Sequence, residues 1–159
     1  MDAKINNELV LTRIFDAPRA VVWKAWTDPK QVQQWWGPEH FTNPVCEMDV
    51  RTGGSLKIVM RSPTGSEHPM KGVFREVVKN ERLVFTNIAT DENGGTLLEG
   101  QTTVIFEDED GKTKLTLKTS AAGLESQVKF MLQGMKAGWS QSFEKLAILL
   151  TTPNGGSHA

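Results

Sequence analysis

The chain has no tyrosine, one cysteine and three histidines among its 159 residues. With Cys46 alone, an intrachain disulfide is excluded and a reducing compartment fits. No histidine or basic cluster adjoins Cys46 in sequence, so it reads as a small buried apolar residue rather than a reactive thiol. His40, His68 and His158 lie far apart, and neither a paired-histidine motif nor a CxxC is present, so no metal is expected. A GxSxG nucleophile elbow is missing, and Gly53-Gly54 and Gly94-Gly95 fit sheet turns better than a phosphate loop opening a helix. No catalytic residue and no cofactor are therefore expected. The formal charge is −1, with both signs interspersed and no Lys/Arg run. That leaves no broad basic field for nucleic acid or anionic membrane. Met1 to Glu8 is polar and lacks the apolar core of a secretory signal, so a cytoplasmic location is expected.

What the chain does have is one long amphipathic stretch. From Glu125 to Leu150 the apolar residues Val128, Met131, Leu132, Met135, Trp139, Phe143, Leu146 and Leu150 recur at steps of three and four, one face of an α-helix. Lys129, Gln133, Lys136, Ser140 and Lys145 fall largely on the other side. At ~1.5 Å per residue this helix is about 39 Å long, enough to cross a sheet. Gly134 and Gly138 interrupt it, each at a cost of roughly 1 kcal/mol relative to alanine. Either a neighbouring backbone packs closely there, or the glycines leave room for a ligand beside Met131, Met135 and Trp139.

The preceding residues read as the surface that receives this helix. Leu9 to Asp16 is a strand. Asp16-Ala17-Pro18 starts a short helix, and Asp28 caps a second over Pro29 to Trp35. Of the pair Trp35-Trp36, one is expected in the core and the other partly exposed. Strands then follow over Phe41 to Val50, around Leu56 to Met60, Met70 to Val78, Arg82 to Ile88, Gly100 to Glu107 and Lys112 to Ser120. Their short connections imply antiparallel pairing. The expected architecture is α+β: an antiparallel sheet of about six to seven strands, curled around the long helix. Residues 1–8 read as an N-terminal tail, 9–150 as a single domain and 151–159 as a disordered C-terminal tail.

The run Arg13-Ile14-Phe15-Asp16-Ala17-Pro18, then Val22-Trp23, Trp26-Thr27-Asp28-Pro29 and Trp35-Trp36-Gly37-Pro38, resembles bacterial members of the activator of heat-shock protein 90 ATPase homologue family. Asp49-Val50-Arg51 with Gly53-Gly54, Gly72 before Phe74, Glu81-Arg82-Leu83 and Gly138-Trp139 extend the match over roughly Glu8 to Leu150. The resemblance implies the helix-grip fold of the START-like (SRPBCC) superfamily, in which a curved sheet wraps the C-terminal helix and leaves a cavity. That superfamily includes lipid-transfer domains, hormone receptors and polyketide cyclases, so the fold does not by itself assign an activity.

On this reading the chain binds a hydrophobic or aromatic small molecule, lipid-like or polyketide-like, as carrier or sensor. The expected lining is Trp36, Met60, Phe74, Arg75, Met131, Met135 and Trp139. Arg75 and Glu76 are adjacent on a strand, so strict alternation turns one of them inward, and an inward Arg75 would favour a carboxylate or phenolate. Without tyrosine, inward hydroxyls come only from serine and threonine, for instance Thr86, Thr102 or Thr103. The alternatives are a co-chaperone-like interaction protein and a cavity enzyme of cyclase or hydrolase type using Arg75, Glu76 or Glu99. The expected partners are the hydrophobic ligand and, through open strand edges, a second copy of the chain. A chaperone is supported by the family name alone.

Overall fold

A computed structural model describes residues 4–90 and 96–151, with side chains for 8–88, 99–120, 122 and 135–151. The expected loop at Asn93-Gly94-Gly95, the C-terminal tail beyond residue 151, the side chain of Met131 and the surroundings of Gly134 lie outside the described residues. Seven strands and three helices follow in the order β1 (Lys4–Phe15), α1 (Arg19–Thr27), α2 (Pro29–Trp35), β2 (Thr42–Met48), β3 (Ser55–Arg61), β4 (Glu67–Val78), β5 (Arg82–Thr90), β6 (Thr96–Glu109), β7 (Lys112–Leu124) and α3 (Glu125–Thr151). The strands form one antiparallel sheet in the order β1-β7-β6-β5-β4-β3-β2, so β1 and β2 are its edges.

Local chemistry accounts for the two short helices. Thr27 donates its hydroxyl to the Trp23 carbonyl at 2.8 Å in the last turn of α1. Asp28 then ends α1 and caps α2, accepting from the Lys30 amide at 3.0 Å, with Pro29 in the first turn. β1 begins at Lys4 rather than near Leu9. Its polar first residues show no hydrophobic alternation, and pair with Ala121–Leu124 of β7 through the backbone ladder.

Glycines shape the sheet where backbones come too close for any side chain. A Cβ at Gly72 would lie 1.8 Å from the Thr86 carbonyl oxygen, and one at Gly100 equally close to that of Ser120. Such glycines mark tight bends in a sheet. Around α3 the core is continuous: Phe15, Val22, Trp26, Trp35, Phe74, Phe106, Leu115, Leu117, Phe143 and Leu146 are all buried. The whole is the helix-grip architecture, the curved sheet holding the C-terminal helix against it.

Candidate ligand-binding site

The interior surface is set by register. Leu83, Phe85 and Asn87 of β5 stand opposite Val104, Thr102 and Gly100 of β6, and Thr102 stands opposite Thr119 of β7. Phe74 of β4 pairs with Phe85, their rings 6.1 Å apart and edge-on. From the helical side come Trp36, 6.3 Å from the Phe85 ring, and Trp139, 5.0 Å from Trp36. Trp139 also stacks on Trp26 at 5.8 Å with an interplanar angle of 16°. Ring pairs of this kind contribute about 0.5–1.5 kcal/mol each beyond the area they bury.

Both members of the tryptophan pair are buried, Trp35 at 0% and Trp36 at 9% exposure, where partial exposure of one was expected. Trp35 Nε1 donates to the Ala25 carbonyl at 2.9 Å, which anchors α2 on α1. Trp26 Nε1 is also buried, and has no partner among the described residues.

The turn after Trp36 is fastened to α3 by polar groups. Ser142 donates to the Gly37 carbonyl at 2.9 Å, and Gln141 Oε1 accepts from the Glu39 amide at 2.8 Å. Lys145 Nζ reaches the Pro38 carbonyl at 3.2 Å and that of Trp36 at 3.5 Å. By helical periodicity Lys145 belongs on the outer face. Its stem instead folds back over the helix, as long cationic side chains do. Burial lowers its pKa from the ordinary lysine value, with the Glu39 charge acting weakly the other way. Gly37 has φ +93°, and a Cβ there would sit 2.9 Å from Met60 Sδ, so the turn also seats Met60.

The expected lining residues other than Met131, whose side chain lies outside the described residues, fall into three groups. Trp36, Phe74 and Trp139 belong to one aromatic cluster, directly or through Phe85. Met60 and Met135 are partly buried, Met60 beside that cluster's edge at Gly37. Arg75 is exposed. The register passes from Phe74↔Phe85 to Glu76↔Val84, so Arg75 is the extra residue of a β-bulge. The bulge breaks the strict alternation there, so neither Arg75 nor Glu76 is forced inward. Glu76 is half-exposed and paired with Arg82 at 3.3 Å, and Glu99 is exposed.

Of the three expected threonines, Thr102 is buried on the interior face, whereas the Thr86 hydroxyl accepts from the Val73 amide at 2.9 Å. Thr103 lies beside Thr102 on the strand and so faces the other way. Thr102 bonds Asn87 Oδ1 at 2.8 Å and the Thr119 hydroxyl at 2.9 Å. Asn87 and Thr119 escaped the sequence reading, and cross-strand pairing of polar residues is the signal that would have found them. A separate shallow groove of about 370 Å³ lies outside this interior, between β1 and α3, and the exposed Arg13–Glu144 ion pair crosses it.

A curved antiparallel sheet closed over a C-terminal helix, with an aromatic-lined interior between them, defines a helix-grip protein. The chain belongs to the family described as activator of Hsp90 ATPase homolog 1-like protein, whose model matches residues 16–151. It is similar to the crystal structure of Ms6760 from Mycobacterium smegmatis, at 26% identity and a TM-score of 0.80 over 91% of each chain. Protein CV1439 from Chromobacterium violaceum has 26% identity and a TM-score of 0.79, over 91% of this chain and 96% of that one. A solution structure from Arthrobacter aurescens gives 26% and 0.78, over 94% and 88%. A search of curated proteins gives no match.

Proposed function

We propose that this protein binds a hydrophobic or aromatic small molecule, lipid-like or polyketide-like, between its sheet and α3, as a carrier or sensor. The observation that carries this reading is the lining. Phe74 of β4, Phe85 of β5, Trp139 of α3 and Trp36, just after α2, converge. Trp139 and Met60 keep part of their surface uncovered beside them, and Met135 on α3 is also partly buried. Flexible methionines next to rigid rings suit an apolar ligand held by burial, at ~25 cal/mol per Å² of apolar surface removed from water.

The family description also names an activator of a chaperone ATPase, and a co-chaperone role is the second reading. One titration separates the two. The labelled protein receives pooled fatty acids, flavonoids and aromatic acids, then the chaperone's middle domain, while amide resonances are followed. Saturable shifts from small molecules at Trp36, Phe74 and Trp139 support the cavity reading. Shifts of surface amides from the chaperone domain alone would replace it with the co-chaperone one. Met135→Trp should block small-molecule binding, and unchanged binding would mean that the ligand lies elsewhere. The groups named for a cavity enzyme, Arg75, Glu76 and Glu99, all reach solvent, which favours binding over acid–base work.

A second copy of the chain is the remaining partner we propose, through β1. That edge runs twelve residues with unbroken register and no proline, whereas β2 has seven, with Pro44 and a register shift. Short, proline-bearing, irregular edges resist pairing and long regular ones invite it. Light scattering giving a monomer mass at millimolar concentration would remove this partner.

A further inference from the structure

One polar row crosses the interior face of the sheet. Thr102 has a single hydroxyl hydrogen, and donates it to Asn87 Oδ1 at 2.8 Å. The 2.9 Å contact between the Thr102 and Thr119 hydroxyls is then a donation from Thr119. The row runs one way, from Thr119 to Thr102 to the Asn87 oxygen. Both hydroxyl hydrogens are used, and the carboxamide is held with its oxygen toward Thr102. Its Nδ2 carries two hydrogens that the row does not use.

The residue opposite Asn87 is Gly100. A Cβ there would sit 3.1 Å from Asn87 Nδ2 and 1.8 Å from the Ser120 carbonyl oxygen, so only glycine fits and no side chain from that position covers the amide. Asn87 is only partly buried, and Phe85 supplies an apolar wall two residues along the strand. Among the described residues Trp26 Nε1, within the aromatic cluster, is a buried donor without a partner, while Asn43 Oδ1 and Asn80 Oδ1 are buried acceptors without one. Among the described residues no lysine or arginine joins the row, and Arg75 is exposed. A carboxylate moved from water to a neutral amide would lose more solvation than one such donor returns.

We infer that Asn87 is the polar anchor of the ligand site and selects a hydrophobic molecule carrying a neutral hydrogen-bond acceptor, a ketone or ester carbonyl. This rests on the ligand-binding reading above.

The test uses the full chain and three matched probes: 2-acetylnaphthalene, 2-ethylnaphthalene and 2-naphthoate, titrated by calorimetry. The ketone should bind about tenfold more tightly than the hydrocarbon, the discrimination expected of one neutral hydrogen bond. The carboxylate should bind no better than the hydrocarbon. Asn87→Asp removes the donor and keeps an oxygen that Thr102 can still bond, and should erase the ketone preference over 2-ethylnaphthalene. Asn87→Leu provides the same comparison should the aspartate disturb the amide spectrum of the free protein. Equal affinity for ketone and hydrocarbon, a preference that survives both variants, or tightest binding of the carboxylate overturns the anchor and leaves cavity binding standing. If none of the three binds and the pooled compounds are also silent, the cavity reading falls and the anchor with it.

Discussion

Gly138 sits inside α3, where a glycine costs about 1 kcal/mol relative to alanine. Close packing would justify that cost, but the geometry does not require it. A Cβ at this position would meet Pro38 Cγ at 3.5 Å and Cδ at 4.0 Å, ordinary van der Waals contact. Gly138→Ala should therefore regain most of the helix term and add a methyl contact with the Pro38 ring. The expected gain is about 1 kcal/mol, or roughly 2–4 °C in Tm for a chain of this size. Urea unfolding followed by circular dichroism reads it directly: the midpoint rises while the slope m stays unchanged. Gly100→Ala is the control of opposite sign. Its Cβ would stand 1.8 Å from a backbone oxygen, so it should cost more than about 3 kcal/mol, the range reserved for severe steric conflict. If Gly138→Ala lowered the midpoint, or if the two substitutions behaved alike, the reasoning from Cβ geometry would be refuted.

Two further outcomes concern titration. Burial, with a smaller contribution from the Asp28 charge, pushes the Cys46 thiol from 9.0 up to about 11. At pH 8 its thiolate fraction is then about a hundredfold below that of an ordinary thiol, and maleimide labelling should slow by about that factor. Because the folded thiol stays protonated longer than the unfolded one, its contribution to stability is complete below 9.0 and is lost as pH rises toward about 11. Cys46→Ser should flatten that loss. Lys145 has the opposite sign: its folded pKa lies below the ordinary 10.5, so the unfolded state binds more protons in the window just under that value. Wild type should gain stability relative to Lys145→Met as pH climbs through that window. A constant difference between the two would mean that the ammonium is not desolvated.

The sequence makes most of the fold legible because turns and periodicity are local. Asp28-Pro29 marks the start of α2, the acidic turn before Lys112 marks the β6–β7 hairpin, and the apolar spacing marks the face that buries Phe143 and Leu146. The polar parts of the site were hidden because they depend on register and reach. A single bulge at Arg75 undoes an alternation argument that holds along the rest of β4 near Phe74. Asn87 and Thr119 are far apart in the chain and meet only through Thr102. Lys145 occupies an outer position by phase, yet its four-carbon stem carries its charge onto the turn at Pro38. Ser142, buried at 2% on the same helix, looks polar and exposed in sequence until the Gly37 carbonyl is placed opposite it.

The tryptophans give the molecule an optical property. Four of the five indoles form an unbroken relay: Trp35 lies 4.6 Å from Trp26, Trp26 5.8 Å from Trp139, and Trp139 5.0 Å from Trp36. With no tyrosine in the chain, near-ultraviolet excitation is absorbed almost wholly by the five indoles, four of them in this group. At such separations excitation passes between rings far faster than it is emitted, so the emission spectrum belongs to the lowest-energy indole rather than to an average. A quencher arriving beside Trp36 or Trp139 would darken rings it never touches.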